Sequence, residues 1–206
     1  MIGLRLAILT GLYVGIVCSA QIGAQKIIDL PFSGLSAPGG TYLIGIALAL
    51  VELAHLTAPG RRAGWLNAEV MIGCGFVASG VLAAYIAIVA ASPPAFPGQH
   101  FDELADTWRI VLGSLAAFAV SETVDNTIGA WMRGRAPDAF RVAATNAVSA
   151  PLDSLVFLSI AFGSLAFVEG QIAAKLGATV AIGIPLVLVL RHFLGGERPT
   201  IVLAPR

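Results

Sequence analysis

The sequence predicts an all-α polytopic membrane protein with six transmembrane helices and both termini in the cytoplasm. Three observations predict this. Hydrophobic residues make up 57% of the 206-residue chain and charged residues only 12%, against roughly 25% charged in a soluble domain. Mean hydropathy is +0.87, which leaves too little polar surface to coat a water-soluble fold. The apolar residues also come in long runs parted by short clusters of Arg, Pro, Gly and Asp, and crossing a hydrocarbon core takes about 20 of them.

The first run, 4–24, carries Arg5 and then Cys18-Ser19-Ala20, a pattern shared with cleaved leader segments. Bulky Val17 argues against a lipid-modified Cys18, and the run is read as a first span. The second, 40–58, opens after Pro38-Gly39-Gly40 and closes at Pro59-Gly60-Arg61-Arg62. The third, 65–91, leads into the longest polar stretch, 93–107, which is too short to fold alone. The fourth, 108–131, is followed by Arg133 to Asp138, and a tight link at Glu169-Gly170 separates the fifth, 141–168, from the sixth, 171–194. Six spans put nine cations on one side: Arg5, Arg61, Arg62, Arg133, Arg135, Arg141, Arg191, Arg198 and Arg206. Only Lys26, Arg109 and Lys175 fall on the other, so the arginine-rich side is cytoplasmic. Residues 1–206 read as a single membrane-embedded domain.

Composition and motifs narrow the function classes. The formal net charge is zero, and no basic patch points to nucleic acid. Cys18 and Cys74 lie in apolar runs and read as small buried hydrophobes, not as a metal pair or disulfide framework. Nothing calls for a cofactor or metal, and neither the Gly-x-Ser-x-Gly elbow nor the His-Glu-x-x-His zinc helix of intramembrane enzymes is present. No catalytic residue is therefore nominated. His55, His100 and His192 stand at span ends and in a loop, where an interfacial role is expected. Gly73 and Gly75 permit close helix packing without fixing an oligomeric state.

The informative residues are acids inside apolar segments, where each charge costs at least about 2.5 kcal/mol. Glu52 lies deep in the second span, Glu122 and Asp125 in the fourth, and Asp153 in the fifth. Ser121 and Asp125 share a helix face with Glu122 beside them, and Asn146, Ser149 and Asp153 form a second stripe. Such stripes face protein or water, never lipid. No basic partner is evident in the same spans; Lys26, just past the first, and Arg109, opening the fourth, are the cations at hand. A proton-linked step and a site that donates to a ligand are both compatible with this surplus of acid. Glu69, near one end of the third span, is expected to pair with Arg61 or Arg62.

Pro151 removes a backbone donor within the fifth run, so a helix either kinks or begins there. A broken helix near mid-membrane often marks a transporter site. Leu35-Ser36-Ala37-Pro38 and Val148-Ser149-Ala150-Pro151 open the second span and the main part of the fifth. They suggest a faint 3+3 inverted repeat.

Four segments together resemble the vitamin uptake transporter family, also called the queuosine precursor transporters. Ala20-Gln21-Ile22-Gly23-Ala24-Gln25-Lys26 is similar to the family's first-span ending, Ala-Asn-x-x-Ala-x-Lys. Ala37-Pro38-Gly39-Gly40-Thr41-Tyr42, running on to Glu52, resembles its Pro-rich opening to an acid-bearing second span. Residues 109–125 resemble Arg-Ile-x-x-x-Ser followed by Ser-Gln/Glu-x-x-Asp, with Ser121, Glu122 and Asp125 at the matching places. Residues 141–162, with Asn146, Ser149, Asp153 and Ser154, resemble Arg-Asn-x-x-Ser…Asp-Thr/Ser…Ile-Ala-Phe. The ordered set covers most of the chain. Gln21 replaces the usual Asn, Glu52 stands for an Asp without the second acid that often follows, and Pro151-Leu152 replaces Gln-Ile.

The resemblance implies uptake of 7-deazaguanine bases across the bacterial cytoplasmic membrane. Asp125, Glu122 and Asp153 are candidates to accept from the donor edge of such a base, and Tyr42 or Phe157 to stack on its ring. Lys26, Glu52, Ser121 and Asn146 complete the expected substrate-binding set. A stand-alone secondary transporter or facilitator is expected. The alternative is the substrate-binding subunit of an energy-coupling-factor importer, which needs separate ATPases. A purely structural protein would leave the acids without a role in binding.

Overall fold

The computed structural model describes residues 2–31, 33–58, 60–91 and 107–194. The loop acids Asp102, Glu103 and Asp106, with His100, Arg198 and Arg206, lie outside the described residues. The architecture is all-α: α1 (Ile2–Gly23), α2 (Thr41–Ala54), α3 (Arg61–Ala91), α4 (Thr107–Met132), α5 (Asp138–Ala161), α6 (Val168–Ala178) and α7 (Ile184–Leu194). A π-helical stretch, Thr179–Gly183, joins α6 to α7, making one span of Val168–Arg191. Among the described residues, four helices are long and apolar enough to cross a membrane: Gly3–Gly23, Arg61–Val89, Asp138–Ala161 and Val168–Arg191. Of the other two, α4 has the length (26 residues) but carries Arg109, Glu122 and Asp125, and α2 is short.

That short helix is the hub. At about 1.5 Å per residue, the 14 residues of α2 reach about 21 Å, and a 3₁₀ turn at His55–Thr57 extends them. Ten of them are buried, because α2 is wrapped by α1, α3, α4, α5, α6 and α7. Such crowding requires small residues. A Cβ on Gly45 would lie 2.5 Å from the backbone oxygen of Lys175 on α6, and one on Gly183 would lie 2.7 Å from the Ala49 methyl. Outward faces are apolar instead. Only 17% of the most apolar window of α3 is buried, and Leu66, Val70, Val77, Val81, Tyr85 and Ile88 point outward, as a lipid-facing helix should.

Between α1 and α2 the chain forms an antiparallel ribbon, β1 (Ile27–Asp29) with β2 (Ser36–Pro38). Its register is Ile27↔Pro38, Ile28↔Ala37 and Asp29↔Ser36, and Ser36 Oγ donates to Asp29 Oδ1 at 2.7 Å. The sequence alone predicts only a connection between Lys26 and Gly39. The β2 backbone lies directly on Gly170 of α6, where any side chain would strike the Ser36 carbonyl.

Several expectations change. Glu169 and Gly170 lie inside the first turn of α6; the real link is 162–167, where Gly163 takes φ 62°. The helix α5 does not begin at Pro151 but runs through it from Asp138 to Ala161. The two Ser-Ala-Pro segments are not equivalent, since Ser36–Pro38 is a strand while Ser149 to Pro151 lies mid-helix; they give no support to an inverted repeat.

Candidate functional site

Polar side chains inside the bundle form three layers. The first lines a pocket of about 350 Å³, counted to its open mouth, at the end where α1 finishes and α2 begins. Its walls come from Ala20 and Ala24 of α1, Pro38, Gly40, Thr41 and Ile44, and Ser114, Ala117 and Phe118 of α4, closed by Asp153, Phe157, Gln171 and Lys175. Helical spacing produces this meeting. Asp153 and Phe157 are one turn apart on α5, as are Gln171 and Lys175 on α6. Lys175 is 1% exposed, and its ammonium reaches Asp153 Oδ2 at 2.5 Å, Ser154 Oγ at 2.8 Å and Gln171 Oε1 at 3.1 Å. Three acceptors use all its protons. Ser121 Oγ approaches Asp153 Oδ1 at 3.1 Å.

The second layer lies deeper. Ser149 Oγ donates to Asp125 Oδ1 at 2.9 Å, and Asn146 Nδ2 to Thr179 Oγ1 at 2.8 Å. Thr179 in turn lies 3.2 Å from the Gly45 carbonyl and 2.9 Å from that of Lys175, so the π-helical stretch is tied to α2 and α5 directly behind the pocket. π-Helical turns often occur at functional sites. Glu122 and Asp125 are buried; Glu122 Oε2 and Asp125 Oδ2 have no hydrogen-bond partner. Glu69 Oε1 accepts from Asn126 Nδ2 at 2.6 Å, not from Arg61 or Arg62, both of which are exposed.

The third layer closes the opposite end. Arg141 of α5 pairs with Glu52 of α2 and with Asp138 at 3.3 Å, and Arg191 of α7 reaches Asp138 at 2.5 Å. Gly129 of α4 is pressed against the Glu52 carboxylate. Arg133 donates to the backbone oxygens of Gly60 at 2.7 Å and Ala58 at 2.8 Å. His55, expected at an interface, is fully buried here, with both ring nitrogens unpartnered. The side chain of His192 lies outside the described residues.

The expected binding residues therefore separate. Asp153 and Phe157 line the pocket, with Ser121 against Asp153. Glu122, Asp125 and Asn146 lie behind it. Glu52 is held in the far layer. Tyr42 packs on Leu30, Ala37 and Ala174 and Lys26 is exposed; neither is among the lining residues. Two of the acids expected to lack a cation have one, because Arg141 and Lys175 reach inward from positions that had been assigned to the membrane surface. Of the lining residues absent from the expected set, which also include Thr41, Ser114 and Phe118, Lys175 and Gln171 carry the polar contacts to Asp153 and its neighbours; their i, i+4 spacing is the available signal. Cys18 and Cys74 are free, half-buried and exposed respectively, instead of both being buried.

A family model described as "Putative vitamin uptake transporter" matches residues 60–190. The match spans α3 to α7 and includes Glu122, Asp125, Arg141, Asp153 and Lys175. No curated protein and no solved structure matches the chain. With well over half of its length covered by that model, this multi-pass membrane protein belongs to the vitamin uptake transporter family.

Proposed function

We propose that the chain imports 7-deazaguanine bases, the precursors of queuosine, across the bacterial cytoplasmic membrane as a stand-alone secondary transporter. In this reading residues 1–206 form one domain of six spans with both termini in the cytoplasm, and the pocket faces outward. The observation that carries the reading is the juxtaposition of Asp153 and Lys175 in the pocket wall. A guanine-like edge offers neighbouring N–H donors and a carbonyl. Asp153 accepts from the donors as carboxylates do from forked groups, while Lys175 and Gln171 turn to the carbonyl. Phe157 and Phe118 line the same pocket and pack on the ring. A base lacking the edge offers no hydrogen bonds in exchange for the Asp153–Lys175 contact it disturbs, which is a basis for rejection.

The test is functional replacement. A strain unable to make the deazaguanine base regains queuosine in its tRNA when given this chain and external precursor. No recovery with well-expressed protein overturns the substrate. Uptake into liposomes holding this chain alone separates a stand-alone transporter from the subunit of an ATP-driven importer, which would be inert there.

A further inference from the structure

Of the four carboxylates at Glu52, Glu122, Asp125 and Asp153, cations meet two. Arg141 takes Glu52 and Lys175 takes Asp153. Glu122 and Asp125, between them in depth, form no ion pair among the described residues. They are 1% and 0% exposed and lie one helical turn apart on α4. Glu122 Oε2 and Asp125 Oδ2 accept no hydrogen bond.

A second observation comes from another helix. Tyr13 of α1 is 0% exposed, its hydroxyl has no hydrogen-bond partner, and it lies beside Glu122. Its ring is fixed edge-on against Phe118, 6.0 Å between centroids, and packs where any side chain on Gly75 of α3 would sit. The Tyr13 hydroxyl and Glu122 Oε2 are both buried without a well-formed hydrogen bond, and the two side chains are close enough to interact, an arrangement that one mobile hydrogen completes.

We propose that Glu122 and Asp125 form a proton-binding site that couples transport to the proton gradient. The inference rests on the transporter reading but not on the identity of the substrate. Two neighbouring carboxylates in a low-dielectric interior without a counter-ion do not both ionise, and intramembrane acids of this kind mark proton relays. The charged and titratable groups around the pair are Tyr13 on α1, Glu52 on α2, Glu69 on α3, and Asp153 and Arg141 on α5. The one cation among these, Arg141, is already held by Glu52 and Asp138. A proton enters from the pocket, whose wall includes Phe118 and whose Asp153 is reached by Ser121, the residue before Glu122. It binds a carboxylate oxygen, so the loaded pair carries one charge fewer, and it leaves to water when the opposite end opens. No covalent bond besides O–H is made or broken.

The test uses the full chain in liposomes, without substrate in its first arm. Infrared difference spectra between acidic and alkaline buffer show a protonated-carboxyl band in the parent protein. That band is lost or shifted in E122Q and D125N and unchanged in E169Q, a change at an exposed acid. In the second arm, adding precursor outside acidifies the lumen of parent liposomes, read by a trapped pH dye, and E122Q reduces that signal at least tenfold. A band absent from the parent, or intact in both E122Q and D125N, overturns the proposal, as does undiminished proton entry in E122Q. If the parent moves no precursor, the substrate reading fails and the infrared arm alone decides the proton site.

Discussion

Arg141 of α5 and Glu52 of α2, 89 positions apart in the chain, form a buried ion pair at the end of the bundle opposite the pocket. Their side chains are 1% and 0% exposed, so neither charge has water to fall back on. Asp138 and Arg191 extend the pair into a network that ties α2, α5 and α7 together. In the proposed transport reading, this network closes the path on the side opposite the open pocket. Removing one partner of such a pair leaves an uncompensated charge and costs about 3–5 kcal/mol, whereas replacing both is often neutral. Arg141→Met is therefore expected to lower the melting temperature of the detergent-solubilised protein sharply. The double change Arg141→Met with Glu52→Gln should recover most of the loss. Equal melting of the single and double variants would show that the pair does not act as a unit.

The pocket gives a second prediction. Asp153→Asn keeps the shape but replaces a charged acceptor with an amide, and Lys175→Met removes the ammonium that holds Asp153. Hydrogen bonds to charged groups contribute about 1.5–3 kcal/mol, which is roughly tenfold to a hundredfold or more in affinity. Both variants should insert normally and show that loss in substrate affinity, measured by uptake at graded concentrations. Lys175→Met should also leave Asp153 without its cation and lower the melting temperature. Parental affinity in both would remove the Asp153–Lys175 pair from the binding site.

How far these residues were legible in the sequence follows from the range of each signal. The stripe of Asn146, Ser149 and Asp153 was visible because helical period is local, and so were the long spans, whose lengths the bilayer sets. Their partners were not visible. Lys175 stands seven residues into α6, and a link misplaced at Glu169-Gly170 moved it to the surface. Arg141 opens the predicted fifth span and counts there with the cytoplasmic-side arginines, because nothing local reveals that Glu52, 89 positions earlier on α2, draws it inward. Periodicity identifies the face a residue occupies, while the opposing side chain depends on which helices pack together. The ribbon at Ile27–Asp29 and Ser36–Pro38 escaped for a related reason: strands of three residues each show no alternation to read.

A third prediction concerns packing at Gly45. Its missing side chain brings the α2 backbone against that of α6 at Lys175, and a methyl there would meet the Lys175 carbonyl at 2.5 Å and the Ala178 methyl at 3.0 Å. The carbonyl is backbone and has no rotamer to yield, so α6 must move. Overpacking of this kind costs about 1–3 kcal/mol. Gly45→Ala should therefore lower stability and also weaken uptake, because Lys175 is carried on the displaced segment. By contrast, Gly73→Ala, with nothing within 4 Å of the added atom, should behave like the parent protein. Loss of uptake in Gly73→Ala, or none in Gly45→Ala, would contradict this packing.

The last prediction tests the direction in which the bundle lies. In the proposed orientation the α4–α5 turn lies in the cytoplasm and the ribbon outside, the same side as the mouth of the pocket. Ser33 in the ribbon loop and Arg135 in the turn are both exposed, and the native thiols at Cys18 and Cys74 can first be changed to Ala. On that background, Ser33→Cys should react with a membrane-impermeant maleimide on intact cells. Arg135→Cys should react only once the membrane is opened. Substrate added outside should slow labelling of a cysteine placed at Thr41 on the pocket wall and leave Ser33→Cys unaffected, since the latter is not among the lining residues. Labelling of Arg135→Cys in intact cells would invert the topology. The pocket would then face the cytoplasm, and the ionic layer of Glu52 and Arg141 would close the outer side instead of the inner one.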